Sequence, residues 1–437
     1  MKTGTILAYV LCGVIIICAW VVCFLPTIFY MNPLEIPPNE NHVNVSLNTS
    51  LMPLFPCNPP LIFSNQSGFC KPACDWLPFS KQEQHGMLIA DWITTIFCIT
   101  CFCIILATWL KLPEFMKFPH FIILLMAGIT AFIEILVIIP KLGKESEFFC
   151  SSVFADEAIN KPTAFCETQG VLIHYTSLVI GELFVIYNAV LLKHLVLDKL
   201  PCESYSKKFL SILFLAVLIL PIFPVIYVLK AGDSYTVLYL RYCFPRNADE
   251  GYFSCLLPQQ LFVGIGTTCI LLVIFKLIKE RKSSLIGSPS QARRRQIQLQ
   301  KIAIQFIIVI ISYIVCVYLS YGVLCIQLNN RRTLGKSLEE YFGCLIFTKN
   351  CPEDFREYVT PYGLMIVFLL AGIVFQGGTF ILLVGKQKAR NLWRSWWFDL
   401  TTKCRHPKPA KGRMPRSTSS AQELQPSTSE KKTDTKN

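Results

Sequence analysis

The residue types that could do chemistry in this chain are few, and cysteine leads them. There are 20 cysteines. Cys57, Cys70, Cys74, Cys150, Cys166, Cys243, Cys255, Cys344 and Cys351 lie in polar segments between apolar runs, and Cys325 closes one such run. Cys202 and Cys404 sit in basic segments, and the rest lie within apolar runs. No paired CxxC or Cys/His spacing of a zinc site occurs. An even set of ten cysteines on one side of a membrane fits disulfide chemistry in an oxidising compartment. The second group is ionisable and sits inside apolar runs: Glu134, His174 and Glu182, with Gln305 and Gln376 as further buried polar groups. An ionisable group among lipid tails is costly unless it faces a bundle interior or a partner. Counting along the helices puts Glu134 and His174 at similar depth, so a pair is allowed. Glu182 falls lower and has no partner of matching depth. These three residues are read either as a ligand pocket or as structural polar glue between helices.

Enzyme chemistry is not expected. None of the six His forms HExxH, GxSxG is absent, and Gly264-Ile265-Gly266 lacks the third glycine of a nucleotide loop. No cofactor, metal or nucleic-acid partner is implied.

These groups must be positioned by membrane helices. Of 437 residues, 53% are hydrophobic and only 16% charged, against roughly 25% charged in soluble domains. A hydrocarbon core of ~30 Å takes about 20 apolar residues as a helix, which alone satisfies its own backbone in lipid. Seven runs meet that length: Leu88 to Leu110, Phe121 to Pro140, Val171 to Leu192, Phe209 to Leu229, Leu256 to Phe275, Ile302 to Ile326, and Pro361 to Val384. An eighth run, Ile6 to Met31, follows Lys2 and reads as a signal peptide over 1–31 in preference to a signal anchor. The predicted organisation is an all-α seven-helix membrane bundle over 88–384. A linker over 32–87 precedes it; an amphipathic helix over 385–400 and a disordered cytosolic tail over 401–437 follow.

Charge orients the bundle. With the linker outside, the cytosolic pieces hold 27 of the 41 Lys/Arg but only 8 of the 28 Asp/Glu. Basic residues belong inside. Asn44, Asn48 and Asn65 open three N-x-S/T sequons in the linker, acceptors usable only on the luminal side. A plasma-membrane glycoprotein with its N-terminal segment outside is therefore expected.

The residues around the cysteines resemble the Frizzled/Smoothened class of seven-helix receptors, over roughly Phe55 to Trp397. The landmarks are Phe55-Pro56-Cys57, Cys70-Lys71-Pro72-Ala73-Cys74, Asp91-Trp92-Ile93, Cys150-Ser151-Ser152-Val153-Phe154-Ala155-Asp156-Glu157, Tyr242-Cys243-Phe244, Ile265-Gly266-Thr267, and Cys344 with Cys351-Pro352. The resemblance implies the bridges Cys57–Cys70, Cys74–Cys150, Cys166–Cys243 and Cys344–Cys351. Cys255 and Cys325 are left over, to pair together or stay free. It also implies a signalling receptor coupling an extracellular, lipid or sterol ligand to a G protein or a Dishevelled-like adaptor. The family's amino-terminal Wnt-binding cysteine-rich domain is not expected here, since only about 56 residues with three cysteines lie between the 1–31 leader and the first helix. A rhodopsin-type reading fits less well: Lys193-His194-Leu195 replaces Asp-Arg-Tyr, and Asn-Pro-x-x-Tyr is missing.

The cytosolic face is basic, with eight Lys/Arg from Lys276 to Lys301. Trp393, Trp396, Trp397 and Leu400 share one helical face beside Lys386, Lys388, Arg390 and Arg394, the pattern of a helix lying in the headgroup layer. Lys388 to Trp393 is similar to the family's Lys-Thr-x-x-x-Trp adaptor motif, without its Thr. Lys301 suits the family's basic switch residue at the base of helix six, but the last turn of helix seven has no Trp to pair with it. The competing reading is a transporter or channel. Against it stand the lack of an inverted repeat and of paired Gly/Pro-broken helices.

Overall fold

In the computed structural model the described residues are 57–64, 69–112, 120–155, 161–195, 207–230, 235–238, 242–283, most of 312–384, and 387–405. Asn44, Asn48, Asn65, Lys301, Gln305, Cys325, the 1–31 run and the tail beyond Arg405 lie outside them.

A short antiparallel hairpin comes first, β1 (Leu61–Phe63) paired with β2 (Cys70–Pro72). It packs on a helical stretch over 333–347, where Asn58 donates to the Leu345 carbonyl (2.8 Å) and Leu61 and Cys70 meet Leu345. The first membrane helix, α1 (Lys81–Lys111), starts seven residues ahead of its apolar run. The cause is a capping box. Ser80 Oγ accepts from the Glu83 amide (3.2 Å), while the Glu83 carboxylate accepts from the Ser80 amide (2.8 Å), so two end donors are satisfied at once. The linker expected to reach residue 87 therefore ends at Ser80.

The other spans follow the apolar runs. They are α2 (His120–Ile138), continued by a 3-10 turn Ile139–Leu142, and α3 (Ala164–Leu195). The fourth span is split into α4 (Lys207–Ile219) and α5 (Ile222–Lys230) at Pro221, which has no amide hydrogen to continue the ladder. A second hairpin, β3 (Tyr235–Leu238) and β4 (Tyr242–Pro245), joins the fourth span to the fifth. After a five-residue π-helical turn, Tyr252–Leu256, come α6 (Leu257–Ser283) and later α7 (Tyr362–Val384). Among the described residues six helices are long and apolar enough to cross a membrane. The sixth apolar run, Ile302 to Ile326, is described only in part, its helical piece being Val315–Leu324.

The interior of the bundle holds an apolar cluster drawn from α1, α2, α3, α4, α6, α7 and the described residues of 312–324, including Ile105, Ala127, Leu183, Phe184, Tyr313 and Phe375. Phe184 stacks on Tyr313 at 3.7 Å between centroids. Large apolar side chains on α4 and α5 point away from the protein; Ile212 is 67% and Phe223 64% exposed. In a soluble protein that would be a liability, whereas lipid covers such a face at no cost.

The residues from Arg390 onward form a second unit. It takes in most of α8 (Gln387–Arg405), in which the Trp393 and Trp396 rings meet edge to face, 5.5 Å apart. Arg390 and Arg394 are exposed. Lys388, in the first turn of α8, is exposed as well.

Candidate ligand cavity

The four disulfides among the described residues lie at one end of the bundle. Cys57 is bonded to Cys70, Cys74 to Cys150, Cys166 to Cys243, and Cys344 to Cys351, with Cα separations of 5.4–6.0 Å. Cys255 is a buried free thiol. The Cys166–Cys243 bridge ties the first turn of α3 to β4, laying the second hairpin over the end of the bundle. The Cys243 amide also donates to Gln169 Oε1 (3.0 Å), and Gln169 Nε2 donates to the Leu136 carbonyl on α2 (2.9 Å).

Beneath this hairpin lies a cavity of about 230 Å³. Its roof comes from Tyr242, Cys243 and Phe244 of β4. Its walls come from α1, α2, α3, α6, α7 and the described residues of 313–324. Glu134 and His174 both line it. They do not pair, because His174 has spent both ring nitrogens: Nδ1 meets the Tyr235 hydroxyl at 2.9 Å and Nε2 the Ser254 carbonyl at 3.1 Å. A carbonyl can only accept, so Nε2 carries a proton; a second proton on Nδ1 would bury a charge in a residue 3% exposed, so Nδ1 accepts from the phenol and the imidazole is neutral. Burial pushes the Tyr235 hydroxyl up from its ordinary value, which keeps it a donor.

Glu182 is not among the residues lining the cavity. Eight residues along α3 from His174 rotate a side chain by roughly 80°, whereas Tyr175 and Glu182, seven apart, share a face. Tyr175 donates to the Leu218 carbonyl of α4 (2.9 Å), so that face looks toward the fourth span, away from the cavity. Among the described residues Glu182 Oε2 has no hydrogen-bond partner. Gln376 donates across to the Cys98 carbonyl of α1 (3.3 Å), joining α7 to α1 below the cavity.

Several residues of the site escaped the sequence reading. Asp91, placed by its position at the lip of the first helix, is instead buried and ion-paired with Lys141 at the end of α2. Tyr235 and Ser254 come from the connection before α6. Two glycines make room. An ideal Cβ on Gly372 would lie 2.5 Å from Glu134 Oε1, and one on Gly170 would overlap the Tyr235 ring. An isolated glycine inside an apolar helical pattern is the only sequence signal for either, marking close approach by something not named.

Gly170 yields a prediction whose sign depends on space. Alanine gains about 1 kcal/mol over glycine in a helix interior. At Gly170 the added carbon overlaps the buried Tyr235 ring and strips His174 of its phenol, costing about 1–3 kcal/mol. At Gly377 the nearest atom would be 3.8 Å away. Gly170→Ala is expected to lower the thermal midpoint of the purified protein, and Gly377→Ala to raise it.

An apolar helical bundle closed at one end by a disulfide-latched hairpin over a cavity is the architecture of a multi-pass membrane receptor. The Frizzled/Smoothened family membrane region matches residues 78–400, well over half of the chain, and the chain belongs to that family. Among solved structures it is similar to squid rhodopsin, at 14% identity over 79% of this chain and 92% of that one, with a TM-score of 0.48. No curated protein matches the sequence.

Proposed function

We propose that the protein is a cell-surface signalling receptor whose ligand site is the cavity under the β3–β4 hairpin. In this reading the disulfide-bearing end faces the exterior. The basic 276–301 segment including Lys301, and α8 with Lys388 and Trp393, are read as the parts that meet a cytosolic G protein or Dishevelled-like adaptor. The observation that carries it is the cavity itself. A mostly apolar void with a few convergent polar groups, walled by helices from across the bundle, is the form a small-molecule site takes. An extracellular, lipid or sterol ligand would bias helix positions wherever it fits one arrangement better than another, and the far end would repack. The three sequons Asn44, Asn48 and Asn65 and the 1–31 leader belong to the same proposal, as export features of a plasma-membrane glycoprotein.

Val317 is a buried wall residue of the cavity. Val317→Trp fills the void without touching either end of the bundle. At unchanged surface level, it is expected to alter the set of cytosolic proteins labelled by a proximity enzyme fused to the carboxyl terminus. An unchanged set would remove the cavity from signalling.

A further inference from the structure

One acid at the cavity has no cation beside it among the described residues, and that defines an occupant. Three ionisable acid or base side chains other than tyrosine and cysteine line it: Asp91, Glu134 and His174. Asp91 is ion-paired with Lys141. His174 is neutral, its nitrogens committed to Tyr235 and Ser254. Among the described lining residues none is Lys or Arg, so no wall cation answers Glu134. Its carboxyl lies against the bare backbone of Gly372, in a place that any Cβ there would take. The other walls offer a phenol and aromatic rings. The Tyr313 hydroxyl is buried with no hydrogen-bond partner among the described residues, in a side chain 2% exposed. Tyr242, Phe368 and Phe375 present aromatic rings, and Tyr313 meets Phe375 edge to face at 5.6 Å. Ring faces attract cations. A carboxylate, a phenol oxygen and ring faces around an apolar void form a receptacle for a positive charge on a greasy body.

We propose that the cavity takes a compact apolar amine, its ammonium group held by Glu134 and its hydrocarbon body packed against Ile133, Ile180 and Val317. This rests on the reading of the cavity as the ligand site and adds the chemical class of the ligand. Set in an apolar cavity and unpaired among the described residues, the Glu134 carboxyl holds its proton until a ligand enters; an amine entering as the free base takes that proton, and the ammonium so formed donates back to the carboxylate it leaves.

The test uses three probes that share one cage and differ in one group: 1-adamantylamine, 1-adamantanol and 1-adamantanecarboxylate. Apparent Kd values are read from thermal stabilisation of the full-length protein in nanodiscs. The amine is expected to bind about ten- to a hundredfold more tightly than the alcohol, the worth of a charge-assisted bond in a dry site, and the carboxylate not to bind. Glu134→Gln, which keeps the side chain's shape, should erase the preference for the amine. Gly372→Ala, which displaces the carboxyl while leaving Glu134 in place, should reduce it. An amine preference that survives Glu134→Gln overturns the proposal. So does equal binding of amine and alcohol; if Val317→Trp abolishes both, the ligand site stands and only the ammonium requirement falls. Binding of none of the three removes proposal and ligand site together.

Discussion

Cys166→Ser or Cys243→Ser is expected to leave the protein in internal membranes, with surface labelling reduced to background. The bridge closes a loop of 77 residues, and loss of a native disulfide costs roughly 2–5 kcal/mol. Here a further cost adds to it. Both cysteines are 1% exposed, packed with Phe149, Val228 and Tyr235, so each serine brings a hydroxyl into an apolar cluster. The same hairpin carries Tyr235 to His174 and the Cys243 amide to Gln169, and loosening it opens the roof of the cavity. The Cys344–Cys351 bridge is the internal control. It spans seven residues and lies in a solvent-exposed segment, so Cys344→Ser/Cys351→Ser should retain most surface signal. Normal labelling of both single mutants at the Cys166–Cys243 bridge would show that the latch is dispensable.

The second large effect is expected at Asp91 and Lys141. Their side chains are 3% and 1% exposed, and they join α1 to the end of α2 beside the cavity. Removing one partner of such a pair leaves the other charge buried without its counter-ion, at a cost of about 3–5 kcal/mol. Removing both in favour of apolar side chains of similar volume is often neutral. Asp91→Asn and Lys141→Met should each lower the thermal midpoint sharply, while Asp91→Leu/Lys141→Met should recover most of the loss. A double-mutant cycle separates this from independent packing effects: near-additive losses would mean that the two groups do not depend on each other.

The two outcomes differ in how visible their causes are before folding. Cysteine is a sparse residue, and nine of them in polar segments stand out in the chain itself. Asp91 and Lys141 do not. Each is an ordinary charge near the end of an apolar run, fifty residues from the other. Hydropathy places each at the edge of lipid and is silent about burial, because burial depends on which neighbouring helix turns toward it.

The same division runs through the site. Depth along a helix follows from 1.5 Å per residue, so Glu134 and His174 could be set at one level by counting. Azimuth relative to other helices could not. That angle sends Glu182 toward α4, and it hands His174 to a tyrosine from a hairpin 61 residues away. The early start of α1 was legible at Ser80 and Glu83, whose spacing is a capping box, though an apolar run alone does not reveal it.

By itself the sequence determined the solvent and the architecture: apolar runs of fixed length must become helices, since lipid offers their backbone no partner, and basic segments must lie on one face. Only the tertiary structure decided which polar groups meet inside that architecture. The energy that joins Asp91 to Lys141, or seats Glu134 against Gly372, is local to a few ångströms between helices, and hydrophobic length carries no trace of it.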